Sequence, residues 1–228
     1  MPVRLCRGFG PCGTGVLLGP TSFENETEID MPLPWFKRIR KTGQLTVYNR
    51  AGDWSAAVNN AINSFNNLGL GVKLVPEKEE KSANIVVKLS NGNETYNYYG
   101  DVAKANFDAE KLHGHASTLV DAKRMEIFFA VIFLPGKVKG ATNRQKEVIT
   151  VHEFIHACGL NGLLPSGGKV PNHDHDSMGI MYPQMMVSGD GLIEYLHDKG
   201  AKPMTPIRVG PQTACKVRML WGAEACKD

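Results

Sequence analysis

The segment 142–159 constrains this chain more than any other. Thr142 with Gln145 three residues on is a capping-box signature, Val148, Val151, Ile155 and Cys158 continue at helical spacing, and Gly159 can end the helix. Inside it stands His152-Glu-Phe-Ile-His156. Residues four apart share one helix face, so both imidazoles can reach one ion, while Glu153 can touch a water beside it. Zinc takes about four nitrogen, oxygen or sulfur ligands and in catalytic sites leaves one position open, so two histidines need a third protein ligand. The alternative at this level is a helix that happens to carry two histidines. Zinc is the cofactor the pattern suits; calcium sites are not legible in the sequence.

Composition bounds the rest. With 228 residues, 42% of them hydrophobic and 21% charged, the chain has globular composition and can bury a sizeable core. Lys plus Arg number 26 against 23 Asp plus Glu, a balance of only +3 with no long run of one sign, so neither nucleic acid nor an anionic membrane is expected as partner. The longest apolar run, around 127–134, is far short of the ~20 residues a membrane span needs. The first twenty residues are broken by Gly and Pro before an apolar stretch forms, which makes a poor secretory signal; synthesis in the cytoplasm is expected, with export by another route left open. Five cysteines (Cys6, Cys12, Cys158, Cys215, Cys226) are an odd number; Cys6–Cys12 and Cys215–Cys226 could each close a short loop, and free thiols are equally compatible. Oligomeric state is not readable.

Residues 1–41 read as an irregular Gly- and Pro-rich N-terminal segment laid on or ahead of a domain over 42–228. Strands are expected at 45–48, 72–75, 83–89, 115–120 and 125–134. A helix capped by Asp53 is expected to carry Trp54, Val58, Ala61, Ile62, Phe65 and Leu68, and a second, opened by Pro211, to carry Val217, Leu220 and Trp221. Residues 91–100 read as a polar, tyrosine-rich loop, and 160–206 as loop.

The motif is followed by Gly159, then by Asn172-His-Asp-His-Asp176 and Met178-Gly-Ile-Met181-Tyr-Pro183. This order resembles the metzincin zinc proteases, and within them the matrixins, whose signature is HExxHxxGxxH with a downstream Met-turn. The likeness runs over about residues 42 to 222 and is strong only at the centre. It implies an α+β fold with a twisted, mostly parallel sheet and an antiparallel edge strand, packed on an active-site helix, plus a C-terminal helix. It also implies a zinc endopeptidase in which His152 and His156 ligate zinc, Glu153 is the general base, and Met181 is the Met-turn methionine. The partner would then be a protein or peptide, extended along the segment near 115–118, and 184–187 would wall an apolar pocket.

Two departures matter. The third His should fall six residues after His156, where the chain has Gly162; counting back eight from Met181 gives His173, behind an insertion of about eleven residues (161–171). His173 is therefore the favoured third ligand and His175 the alternative, with Asp174 or Asp176 as oxygen donors in reserve. The segment that in matrixins holds a second, structural zinc has Tyr99 where its first His belongs, so His113 and His115 read as ordinary edge-strand residues. Gly10-Pro-Cys12-Gly faintly resembles a propeptide cysteine switch. Two other readings stay open: a hydrolase of non-peptide amides on the same fold, and a zinc-binding module without turnover.

Overall fold

The computed structural model describes residues 31–169, 171–173, 179–181, 185–187, 192–195, 198–203 and 207–222, the strands between 185 and 203 by backbone alone. Cys6, Cys12, His175, Asp174 and Asp176 lie outside the described residues, as do the side chains at 184–187. In chain order the elements are α1 (Lys37–Arg40), β1 (Gln44–Arg50), α2 (Ser55–Asn66), β2 (Lys73–Glu77), β3 (Ile85–Ser90), β4 (Asn93–Tyr98), β5 (Asp101–Asn106), β6 (His115–Asp121), β7 (Glu126–Pro135) and α3 (Asn143–Ala157). Then come β8 (Met185–Val187), β9 (Leu192–Tyr195), β10 (Asp198–Pro203) and α4 (Pro211–Leu220). No described helix is long and apolar enough to cross a membrane.

Five strands form one sheet in the order β2-β1-β3-β7-β6. The first four run parallel, and β6 pairs antiparallel to β7 at the edge, with His115 opposite Phe133 and Thr118 opposite Ala130. Both faces of the sheet are covered, which is why β7 reads as an unbroken apolar run instead of an alternating one. Along it Ala130, Ile132 and Leu134 join the core shared with α2, α3 and α4, while Phe129, Val131 and Phe133 join a second cluster on the other face. On the first face Phe65 of α2 meets Phe154 of α3 edge to face at 6.1 Å between centroids.

The second face is covered by a hairpin, β4–β5, where the sequence reads as loop. Its strands pair in register from Asn93↔Asn106 to Tyr98↔Asp101 around a two-residue turn, Tyr99-Gly100, in which both φ values are positive (48° and 96°). Tyr98 stacks on Phe129 at 3.7 Å and Tyr96 at 5.8 Å, so the inward face of the hairpin is built from aromatic and small residues that an apolar-versus-polar count misses. The second helix also starts differently from expectation. A 3-10 turn, Gly52–Trp54, precedes α2, and no side chain caps it, so Asp53 is not the cap.

Helix α3 is satisfied at both ends. Thr142 Oγ1 accepts the Gln145 N–H at 3.2 Å and Gln145 Oε1 accepts the Thr142 N–H at 2.9 Å. At the other end the carbonyls that a helix leaves without partners are taken up from distant chain. Trp35 Nε1 donates to the Ala157 carbonyl at 2.8 Å and Trp221 Nε1 to the Cys158 carbonyl at 3.0 Å. Gly159 follows at φ +132°, and a Cβ there would stand 3.0 Å from Leu220 Cδ1, so this turn requires glycine. Cys158 is a buried free thiol, and Cys215 is disulfide-bonded.

Candidate metal centre

His152, Glu153 and His156 sit on the second half of α3, where it passes under the start of β6. His173 arrives from the loop beyond Gly159. The three imidazoles come together, each offering one nitrogen within 4.8 Å of the others. His156 Nε2 is 3.1 Å from His152 Nε2, and His173 Nε2 is 3.3 Å from it.

The other ring nitrogens decide what this means. His152 Nδ1 lies 2.8 Å from the Ile180 carbonyl, His156 Nδ1 2.8 Å from the Leu160 carbonyl, and His173 Nδ1 2.9 Å from Asn172 Oδ1. A carbonyl oxygen only accepts, so each Nδ1 carries the proton and each Nε2 presents a lone pair. Three lone pairs then face one another with no proton between them, an arrangement that is repulsive alone and attractive around a cation. It is also the way metal-binding histidines are held, with the second nitrogen fixing tautomer and orientation. The residues fit a metal ion, and neutral imidazole suits zinc.

Burial reinforces the neutral state. Desolvation, with the neighbouring His173 adding to it, pushes the His152 pKa from 6.5 to about 4, and desolvation pushes His156 well below 6.5. Glu153 moves the other way: burial raises its carboxyl from 4.5 to about 8, against backbone N–H donors at Ala116 and Gly114 that favour the anion. A cation nearby favours the ionised carboxylate. Gly114 is pressed against this side chain, and a Cβ there would fall 2.7 Å from Glu153 Cγ.

These shifts fix how the metal-free protein responds to pH. Glu153 has its folded pKa raised, so its share of stability is complete below about pH 4.5 and is lost as pH rises to about 8, on the order of 5 kcal/mol at 1.36 kcal/mol per unit. His152 has its folded pKa lowered, so its share is complete above about pH 6.5 and is lost as pH falls to about 4, on the order of 3 kcal/mol. Because His156 is also held below 6.5 and its share too is lost as pH falls, denaturant titrations under chelator should show greatest stability near pH 6.5. Glu153→Gln should flatten the alkaline limb and leave the acid limb in place. An alkaline limb unchanged in that variant would remove Glu153 as its source.

The three rings and Glu153 line a cleft of about 450 Å³, walled on one side by 112–116 and on the other by Asn161 and Asn172. His113 and His115 line it too. His113 lies ahead of β6 and not on it, its ring edge-on to Phe107 at 5.4 Å. His115 opens the strand, half-buried, and its ring donates to the Lys104 carbonyl. Met181 is fully buried in the main core, next to the Ile180 whose carbonyl holds His152. What sequence reasoning missed is the set of residues behind the three rings. Gly114, Leu160, Asn172 and Ile180 act through backbone groups, short range or close approach, and only the His-Asn adjacency at 172–173 is visible in sequence.

No protein-family model matches the chain, and no curated protein matches it in sequence. Among solved structures, a crystal structure of myroilysin is similar at 10% identity and a TM-score of 0.41, over 79% of this chain and 84% of that one. A second structure of myroilysin is similar at 9% identity and 0.42, over 79% and 93%.

Proposed function

We propose that this chain is a zinc-dependent endopeptidase of the metzincin type, matrixin-like in the order of its motifs, with His152, His156 and His173 as zinc ligands and Glu153 as general base. The observation that carries the reading is the convergence of three Nε2 lone pairs, each ring fixed through Nδ1, beside a buried carboxylate in an open cleft. Zinc held there supplies a Lewis acid that polarises a carbonyl and lowers the pKa of water from 15.7 towards ~7.

The chain's own residues do the rest. Glu153 takes the attacking water's proton on a carboxylate oxygen and delivers it to the leaving amine, while the Gly114 and Ala116 N–H groups hold that carboxylate in place. Close packing of Gly114 on Glu153 limits where the carboxylate can swing. Strand β6 is the sheet edge beside the cleft, and an extended peptide adds to such an edge by backbone pairing, which holds any sequence in one direction. Met181, buried in the core next to the Ile180 whose carbonyl holds His152, would be the counterpart of a Met-turn methionine.

The test is cleavage of casein, a loosely folded substrate, by protein stripped with a chelator and then resupplied with zinc. Cleavage that disappears on stripping and returns with zinc is the expected result. One zinc per chain without cleavage of casein or of a peptide library would favour the binding-module reading, and cleavage indifferent to chelator would exclude zinc from the reaction.

A further inference from the structure

Two of the three histidines are spaced by a helix, but the third is not. His173 stands 17 residues beyond His156 on a loop, so something else must fix its distance from α3. The loop closes on itself: Leu163 and Lys169 form an antiparallel bridge, and the Leu164 N–H donates to the Gly168 carbonyl at 3.0 Å. The closed loop is then fastened to the start of the described chain. Leu33 N–H donates to the Leu163 carbonyl at 3.0 Å, and Asn161 Oδ1 accepts the Leu163 N–H at 2.8 Å while its Nδ2 reaches the Leu33 carbonyl at a longer 3.4 Å.

The same short segment also holds the helix. Two residues after Leu33, Trp35 donates Nε1 to the carbonyl of Ala157, the residue directly after His156. It is anchored in turn to the sheet, because the Ile127 N–H donates to the Pro34 carbonyl at 2.7 Å and the Phe36 N–H to the Ile127 carbonyl at 2.8 Å. Leu33 and Trp35 are 2% and 1% exposed, so this is a rigid fixture and not a surface tether.

We propose that Leu33 and Trp35 form a positioning strap for the three-histidine group, with Asn161 as its latch, fixing the distance between the helix-borne pair His152 and His156 and the loop-borne His173. The inference rests on the metal reading above and deepens it. A ligand on an unfastened loop must be ordered when the ion binds, and that ordering entropy lowers affinity; fastening the loop beforehand removes the cost. The insertion at 161–171 is thus tolerated because it is closed and tied to residue 33 at its root.

The experiment is zinc affinity of the full chain, stripped and titrated against a chromophoric chelator at fixed pH. Asn161→Ala should weaken zinc about 10- to 100-fold, the range seen when groups behind metal ligands are removed. Asn161→Asp keeps the acceptor for the Leu163 N–H and should lose less than about tenfold. Trp35→Phe keeps an aromatic ring, though a smaller one, but leaves the Ala157 carbonyl without its donor, and should weaken zinc through the other arm. Val86→Ala, buried in the cluster on the far face of the sheet, should lower the unfolding midpoint without changing zinc affinity. Wild-type affinity in both Asn161→Ala and Trp35→Phe would overturn the strap, as would an equal loss in Val86→Ala. A wild-type chain that takes up no zinc would overturn the metal reading, and the strap's role with it.

Discussion

Glu153→Gln is expected to keep its zinc, lose about 10²–10⁴-fold in kcat/KM, and become more stable than the wild type in the metal-free state above pH 5. The rate loss follows from the role: an amide cannot take the water's proton, and general-base catalysis is worth about that factor. Retained zinc follows from the geometry, because the three converging nitrogens belong to His152, His156 and His173 and none to Glu153. The gain in stability follows from burial, since a neutral amide of the same shape avoids the desolvation that lifts the carboxyl to about 8 and keeps one oxygen to accept from the backbone N–H groups at 114 and 116. Opposite signs for activity and stability separate a catalytic group from a structural one. A variant with wild-type kcat/KM would end the general-base role, and a variant that lost both zinc and stability would show Glu153 to be part of the metal cage.

His156→Ala is expected to lose zinc and activity together. Its Nε2 lies 3.1 Å from that of His152, and its Nδ1 is fixed by the Leu160 carbonyl. Removing a group behind a ligand costs about 10- to 100-fold in metal affinity, so removing the ligand itself should cost more than about 100-fold and leave cleavage at background. Metal analysis after gel filtration checks this directly. His113→Ala should retain full zinc, because that ring lines the cleft without joining the converging three. Full zinc in His156→Ala would take it out of the coordination set.

The legible part of this fold is the part whose causes are local. The capping box at Thr142 and Gln145 is complete in four residues, and the helix it announces is observed as Asn143–Ala157 with both reciprocal bonds made. Pro211 at the first turn and Gly222 past the last likewise bound α4 as the sequence indicates. The hairpin β4–β5 is not legible by hydrophobic alternation because its buried face is tyrosine and alanine and its turn is Tyr99-Gly100. Nor are the bonds that finish the site. Trp35 reaches Ala157 across 122 positions and Trp221 reaches Cys158 across 63, separations at which spacing in the sequence says nothing. The segment 31–41, read as irregular, contributes Leu33, Trp35 and Phe36 to the buried interior and a short helix, since three large apolar side chains interleaved with prolines give no period to detect.

His173 is an intermediate case. Counting from Met181 singles it out only through the resemblance to matrixins, and the structure brings its Nε2 to 3.3 Å from His152 Nε2 although it stands 17 residues beyond His156. Between the two, the loop closes on itself and bonds to Leu33, and neither contact leaves a trace in composition.

The central claim is that three imidazoles hold the ion, and X-ray absorption at the zinc edge on the metal-loaded chain tests it most directly. Three imidazole nitrogens at about 2.0–2.1 Å with one further light ligand is the expected first shell. A sulfur contribution at about 2.3 Å, fewer than three imidazoles, or a chain that takes up no zinc would contradict it.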